Sequence, residues 1–334
     1  MKTKKIRVVH YGLGPIGIET AKYVLKKSNM EIVGAVDISK DMIGKDLGKI
    51  LDLSDDLGVV VTDNARQLLS NVKADVVIHT AGSRIKGIFS QLEEIIESGS
   101  NIVSSAEELL FPLDEKSDAV QKLTKKALEK GVTVLGTGVN PGFVMDALPL
   151  FLTAVCQDVH EIHVERIVDA GTRRYPLQKK IGAGMTPEVF RAKVEEKALG
   201  HVGIEESLML VARNVGFSLD EVQVTIDPVF AVKPVKTDYF DLKEGDIAGI
   251  KNVATGISGG RTMVLLDLRM YIGAEDPHDS ISIKGNPPVT VRIEGGVAGD
   301  QATAAILVNS TPAVVDAKPG LVTVKDLPSP NFRI

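Results

Sequence analysis

Ile6-Arg-Val-Val-His10, Tyr11, then Gly12-Leu13-Gly14-Pro15-Ile16-Gly17 is the stretch that decides the fold. A short β-branched run breaks at a glycine turn. Beyond the turn Ile16, Thr20, Val24 and Leu25 recur at helical spacing as far as Lys27. Strand, Gly-x-Gly-x-x-Gly, helix is the order in which an α/β fold offers a dinucleotide pyrophosphate to a helix N-terminus. Gly12 supplies the tight turn, Gly14 lets backbone approach the phosphates, and Gly17 lets helix pack on strand. The next strand, Glu31–Val36, ends at Asp37, 20 residues past Gly17. A carboxylate there accepts hydrogen bonds from the adenosine ribose and repels a 2′-phosphate, which favours NAD. Ser39 and Lys40 follow closely and leave room for NADP. The plain alternatives are a glycine turn without nucleotide and a solvated loop at residues 39–40.

Working outward, Gly58–Val61, Ala74–His79, Asn101–Ser104 and Val132–Leu135 read as further strands, with helical patterns around Ser90–Ile96 and Asp114–Lys130. Alternating strands and helices imply parallel βαβ units, so the fold class is α/β with an N-terminal Rossmann, doubly wound sheet. After residue 150 the pattern changes. His160–Val168, Val222–Val232, Thr262–Gly273 and Val289–Glu294 read as strands, with two clear helices near Pro187–Leu199 and Gly203–Val215. That is an α+β domain with a mainly antiparallel sheet. Asp300–Ala317 is helical again, with Ala304, Leu307 and Val308 on one face and Pro312 kinking or ending it.

Composition narrows the function classes. The chain has 334 residues, about two domains' worth. Lys+Arg 39 against Asp+Glu 44 leaves a net charge of −5, which offers no basic field for nucleic acid. A single cysteine, Cys156, excludes an internal disulfide and a cysteine-based metal site, and none is expected. The apolar stretch Ala147–Cys156 falls short of a membrane span, and Ile6–Val9 is too short for a signal peptide core. A cytoplasmic protein without membrane or nucleic-acid partners is expected.

In a doubly wound sheet, ligands bind outside the carboxyl ends of the strands. Three further segments share that edge: His79-Thr80-Ala81-Gly82, Ser104-Ser-Ala-Glu107-Glu108, and Gly136-Thr-Gly-Val-Asn140-Pro-Gly-Phe143. His79, Thr80, Ala81 and Asn140 are candidate cofactor neighbours. His79 is assigned to shaping the site rather than to chemistry. Position alone leaves Glu107 and Glu108 equal as catalytic carboxylates, with helix N-terminal capping as the alternative for both.

The segment Gly136–Asp146, with Arg173-Arg-Tyr-Pro-Leu-Gln-Lys-Lys-Ile-Gly-Ala-Gly184, Gly200-His-Val-Gly203, Glu206-Ser207 and Gly299-Asp-Gln-Ala-Thr303, resembles the 2,4-diaminopentanoate dehydrogenase family. The native amine dehydrogenases belong to that family, a branch of the dihydrodipicolinate-reductase-like dehydrogenases. The resemblance implies NAD(P)-dependent oxidative deamination of an amine to a ketone plus ammonia, and the reverse amination. It also implies a Rossmann domain over residues 1–146 and 300–334, a substrate and dimerisation domain over 147–299, and a homodimer. The more distant meso-diaminopimelate dehydrogenases carry an acid after strand five and Asp-Pro-Gly after strand six. Glu107 and Asn140 fall on those positions, which favours Glu107 as the base. The paired-histidine and lysine motif of the dihydrodipicolinate reductases has no counterpart here.

Arg173, Gln178 and His201 then become the substrate contacts of the second domain, and Phe143 a wall near the nicotinamide. A substrate carboxylate suits a bidentate arginine. Two other classes compete with an amine dehydrogenase: a reductase of a cyclic imine or aldehyde, separated by loss of the ammonia requirement, and a non-catalytic NAD(H) sensor, separated by binding without turnover.

Overall fold

A computed structural model describes residues 5–332. In chain order the elements are β1 (Ile6–Tyr11), α1 (Pro15–Leu25), β2 (Met30–Val36), α2 (Leu47–Ile50), β3 (Val61–Thr62), α3 (Ala65–Asn71), β4 (Val76–His79), α4 (Ile85–Glu97), β5 (Asn101–Ser104), α5 (Asp118–Lys130) and β6 (Thr133–Gly136). They continue as α6 (Ala147–Leu152), β7 (Asp158–Asp169), α7 (Tyr175–Lys180), α8 (Pro187–Glu195), α9 (Ile204–Val215), β8 (Glu221–Phe230), β9 (Val235–Lys236), β10 (Asp241–Leu242), β11 (Ile247–Ser258), β12 (Arg261–Tyr271), β13 (His278–Asn286) and β14 (Val289–Glu294). The chain then closes with α10 (Gly299–Val315) and β15 (Gly320–Val322). Short 3₁₀ turns cover Glu107–Leu109 and Thr153–Val155. Two compact units result, one of Met1–Phe143 with Ala298–Ile334, the other of Val144–Val297.

The first unit is a seven-stranded parallel sheet in the order β15-β6-β5-β4-β1-β2-β3. Its strands read as continuous apolar runs because both faces are covered. Val9, Val77, Ile102 and Val134 pack with α3, α4 and α5, while Val8, Val76, Ile78, Val103 and Leu135 pack with α1 and α10. Ser117 caps α5 through Val120 N–H, and Gly131 in the left-handed region ends it. The strand expected at Gly58–Val61 is corrected to Val61–Thr62. Gly58 turns at φ +71°, and the Asp46 carboxylate takes the N–H groups of Leu57 and Val59 that a strand would use. Pro312 does not end α10, which runs one turn past it to Val315.

The second unit is a six-stranded sheet in the order β14-β13-β7-β12-β11-β8, antiparallel except for the β7–β12 pair. β11 and β13 were not legible as strands. β11 carries Gly249, where a Cβ would stand 2.1 Å from the Met270 carbonyl oxygen, so close strand contact displaces the usual β-branched signature. β13 opens His278-Asp-Ser, which is polar because Asp279 pairs with Arg166 inside the unit, at 2.6 Å to each carboxylate oxygen.

Candidate functional site

The Gly12 turn and Asp37 form one piece. Gly12 sits at φ +94° with its N–H on the Val36 carbonyl, which turns the chain where β1 meets β2. A Cβ at Gly17 would lie 2.0 Å from the Gly12 carbonyl oxygen, so only glycine lets α1 start here. Gly14 differs: it is exposed, and a Cβ there would meet nothing within 4 Å. The fold leaves that side of Gly14 open. Gly14 is also the N-cap of α1 and makes no side-chain cap bond, and Pro15 occupies the first turn, with Ile16 next. The positive end of α1 is therefore built to receive an anion.

Asp37 accepts hydrogen bonds from Leu13 N–H at 2.6 Å and Ser39 N–H at 2.8 Å, one on each carboxylate oxygen. Each oxygen keeps a second acceptor site, which suits a ribose diol. The Ser39 backbone thus serves Asp37, and Lys40 is exposed beside it. Ile38, which the sequence reading missed, is 85% exposed directly after Asp37 and offers an apolar surface beside that carboxylate. Its signal was an apolar residue just past a strand end. These features fit a dinucleotide.

Hydrogen bonding carries on past the strand ends. Thr80 N–H meets the Tyr11 carbonyl, Ser105 N–H the His79 carbonyl, and Thr137 N–H the Ser104 carbonyl. The turns after β1, β4, β5 and β6 are thereby held along one edge. The Thr80 hydroxyl donates to the Gly12 carbonyl at 2.8 Å, tying the β4 turn to the glycine turn, and Ala81 next to it is exposed. His79 is placed differently from a ligand contact. Its ring is fully buried, with Nδ1 2.9 Å from the Ser104 hydroxyl and Nε2 2.9 Å from Gln91 Oε1. Burial lowers its pKa, so it is a neutral support for the strand end.

The two acids after β5 stand side by side at the start of the 3₁₀ turn Glu107–Leu109. Glu108 sends its carboxylate to Ile85 N–H at 2.8 Å and Arg84 at 3.2 Å, and its own N–H to the Ser83 carbonyl. Glu108 therefore caps α4, the alternative to a catalytic role that the sequence left open for it. The reason is that the chain is no longer extended here: Leu109 backbone packs on Gly136, where a Cβ would stand 2.4 Å from the Leu109 carbonyl carbon. Glu107, half-buried, precedes it in the same turn.

Beyond β6, Gly142 at φ +126° folds the loop back so tightly that a Cβ would meet Gly138 N at 2.2 Å. Asn140 is half-buried in this loop, and Phe143, also half-buried, ends it. Thr303 of α10 accepts the Val139 N–H at 3.2 Å. Two of the quoted sequence motifs, Gly136–Asp146 and Gly299–Thr303, thus meet in the first unit.

In the second unit, Arg173 lies in the turn between β7 and α7 and is half-buried. Gln178, expected at the substrate, is 1% exposed, and its amide bonds the carbonyls of Gly171 and Arg173 and the Thr237 hydroxyl. The carboxamide thus directs these hydrogen bonds to the protein's own backbone and to Thr237. His201 stands in the loop before α9, where its backbone N–H donates to Asn252 Oδ1 at 2.8 Å. Burial first, then the charges of Lys180 and Arg166, push its pKa down to about 4, so the ring is neutral at pH 7. Asn252, also missed, is buried in β11 and anchored to the Thr225 carbonyl, a pairing no sequence pattern announces. Among the described residues, no group of three or more His, Cys, Asp or Glu side chains is placed to hold a metal ion. No helix among them is long and apolar enough to cross a membrane.

Residues 143–333 match the family model of the 2,4-diaminopentanoate dehydrogenase C-terminal domain, more than half of the chain. The chain belongs to the 2,4-diaminopentanoate dehydrogenase family. Residues 6–107 match the model of the dihydrodipicolinate reductase N-terminus, the nucleotide-binding part. The chain is similar to the 2,4-diaminopentanoate dehydrogenase of Acetoanaerobium sticklandii, 32% identical over 98% of this chain and 95% of that one. It is also similar to an amine dehydrogenase of Streptomyces virginiae, 25% identical over 97% of this chain and 96% of that one. The solved amine dehydrogenase of Mycobacterium smegmatis superposes with a TM-score of 0.86 at 25% identity, covering 99% of this chain and 98% of that one. Within this dehydrogenase family, the Rossmann unit and the mainly antiparallel unit described above are the shared frame.

Proposed function

We propose that the protein is an NAD-preferring amine dehydrogenase, deaminating a 2,4-diaminopentanoate-like amine to a ketone plus ammonia and running in reverse as a reductive aminase. The observation that carries this reading is the division of labour after β5, where Glu108 caps α4 and Glu107 stands one residue earlier on the cofactor edge. Gly12, Leu13, Gly14, Pro15, Ile16 and Gly17 hold the pyrophosphate, and Asp37 the ribose. A nicotinamide dinucleotide held there would supply hydride transfer in both directions.

The chain's part is proton handling. A substrate ammonium has no lone pair to expel a hydride, so a carboxylate oxygen of Glu107 first removes a proton. Glu107 releases that proton to solvent, then takes one from the water that attacks the iminium carbon. It gives this proton to the carbinolamine nitrogen, which leaves as ammonia while the hydroxyl proton returns to the carboxylate and the ketone forms. In amination Glu107, protonated, gives that proton to the departing hydroxyl oxygen. One group cycling between acid and base is ordinary general acid–base catalysis. Arg173 pairs with a substrate carboxylate on this reading. His201, neutral, adds a hydrogen bond without opposing a substrate ammonium, and Phe143 walls the pocket.

An NADH oxidation assay with 2-amino-4-oxopentanoate and simple ketones, with and without high ammonia, tests it. Ammonia-dependent turnover supports the proposal. Turnover without ammonia, or none with any ketone, overturns it. A homodimer is proposed with it, supported by the face of the second sheet that bears Val253, Met263 and Leu265, all half-buried. The molar mass in light scattering decides that point.

A further inference from the structure

We infer that Gln178 is a positioning residue that sets the affinity of the enzyme for carboxylate-bearing substrates by fixing the backbone of Arg173. The inference rests on the reading of Arg173 as the carboxylate partner.

The turn from Asp169 to Arg173 is held group by group. Ala170 N–H meets the Tyr271 carbonyl at 2.9 Å, and Arg173 N–H returns to the Ala170 carbonyl at 3.1 Å. Asp169 accepts Gly171 N–H at 2.9 Å and Gly273 N–H at 3.1 Å on one oxygen. The carbonyls of Gly171 and Arg173 are the two groups that Gln178 serves, through the two N–H bonds of one amide nitrogen at 3.1 and 2.6 Å. Its amide oxygen accepts the Thr237 hydroxyl at 3.1 Å, and that same hydroxyl oxygen accepts Tyr239 and Phe240 N–H. One 1% exposed carboxamide therefore locks three pieces together: the Arg173 turn, α7 and the β9–β10 turn.

The chemistry requires a carboxamide. Two donors must face one way and one acceptor the other, which a primary amide provides and neither a carboxylate nor a thioether does. Deleting the donors leaves two carbonyls to find other partners, and the turn that carries Arg173 loosens. A bidentate guanidinium–carboxylate pair depends on orientation more than a point charge does, so a loosened turn weakens binding of the carboxylate and leaves the reacting carbon alone.

The test uses Q178M in the full protein, with a matched pair of ketones that differ in the carboxylate: 4-oxopentanoate and pentan-2-one, each with ammonia and NADH. The KM for 4-oxopentanoate is expected to rise about tenfold, the loss of one net charge-assisted hydrogen bond. Its kcat, and the kinetics with pentan-2-one, stay within about threefold, because the carboxylate pair contributes ground-state and transition-state binding equally and pentan-2-one lacks the carboxylate. Amide hydrogen exchange at residues 170–174 speeds up in the same variant. Equal loss with both ketones, or an unchanged KM with unchanged exchange, overturns the inference. R173M separates the two claims. If R173M leaves the KM for 4-oxopentanoate unchanged, the reading of Arg173 fails; if R173M raises it and Q178M does not, the inference about Gln178 fails alone. Should Q178M not fold, T237V removes the hydroxyl donor to Gln178 together with the acceptor of the Tyr239 and Phe240 N–H groups, and leaves both amide N–H bonds of Gln178 in place. It is expected to raise the same KM about threefold, the scale of one neutral hydrogen bond, and no rise overturns the inference.

Discussion

The carboxylate of Glu108 accepts the backbone N–H of Ile85 at 2.8 Å, and through it the turn after β5 is pinned to the start of α4. The N-cap of that helix, Arg84, makes no side-chain cap bond of its own, so Glu108 supplies the cap from another segment. Glu107 and Glu108 thus differ in kind although they are neighbours in sequence. E107Q is expected to keep nucleotide binding and lose ~10²–10⁴-fold in turnover, the scale of a lost general acid–base. E108Q is expected to lose helix-cap stability of about 1 kcal/mol and only a few-fold in kcat. Parallel measurements of kcat, NADH affinity and Tm on both variants decide this. A larger kcat loss in E108Q than in E107Q reverses the assignment.

The glycines of the phosphate turn make separable predictions. G17A forces a Cβ to within 2.0 Å of the Gly12 carbonyl and has to move backbone, so it should lower Tm and yield less folded protein. G14A has open space around the new methyl and should fold like the parent. Its loss should appear only as weaker NADH binding, because the methyl occupies the approach to the pyrophosphate. Equal NADH affinity for G14A and the parent, measured by fluorescence titration, would show that the dinucleotide does not cross that turn.

Asp37 has two tasks, and its variants should show both. Besides the ribose contact proposed for it, its carboxylate takes the N–H groups of Leu13 and Ser39. D37A is expected to weaken NAD binding by ~10–100-fold through lost charge-assisted hydrogen bonds. Removal of the charge also relieves repulsion toward NADP, so the NAD-to-NADP preference should narrow. Because the Leu13 turn loosens in the same variant, NADP affinity should not rise by the full amount. Calorimetric titration with both cofactors checks this, and an unchanged preference ratio means that Asp37 does not read the ribose.

The parallel sheet was legible because its strands are buried on both faces and read as apolar runs, and because the Gly12 turn falls between a strand and a helix. The second sheet was less legible, for reasons its residues supply. Asn252 and Gly249 stand in β11 because a loop and a neighbouring strand need them there, which hides the alternation expected of a strand. Gln178 looked like a substrate contact because its partner Thr237 is 59 residues away and nothing local announces the pairing. Glu108 looked equivalent to Glu107 because a 3₁₀ turn follows β5 without any glycine or proline to mark it. Apart from Gly249, where a close strand contact decides, it is a tertiary hydrogen bond, invisible to local pattern, that sets each placement.

His10, in the central strand β1, makes acid stability testable. Its ring is fully buried, and neither nitrogen has a hydrogen-bond partner among the described residues. Burial lowers its pKa from 6.5 to about 3. The unfolded chain therefore takes up this proton on acidification well before the folded one does. Stability from the neutral ring is complete above about pH 6.5 and is lost as pH falls toward about 3, at up to about 1.4 kcal/mol per pH unit. His201, lowered to about 4, and His79 act with the same sign. H10L removes one titrating group without adding a buried polar atom. Relative to its own value at pH 7.5, H10L should retain about 2 kcal/mol more stability at pH 5 than the parent does. Urea unfolding at the two pH values measures the difference. If parent and variant lose stability equally between them, His10 is not the source of the acid sensitivity, and the ring finds a proton acceptor in the folded state.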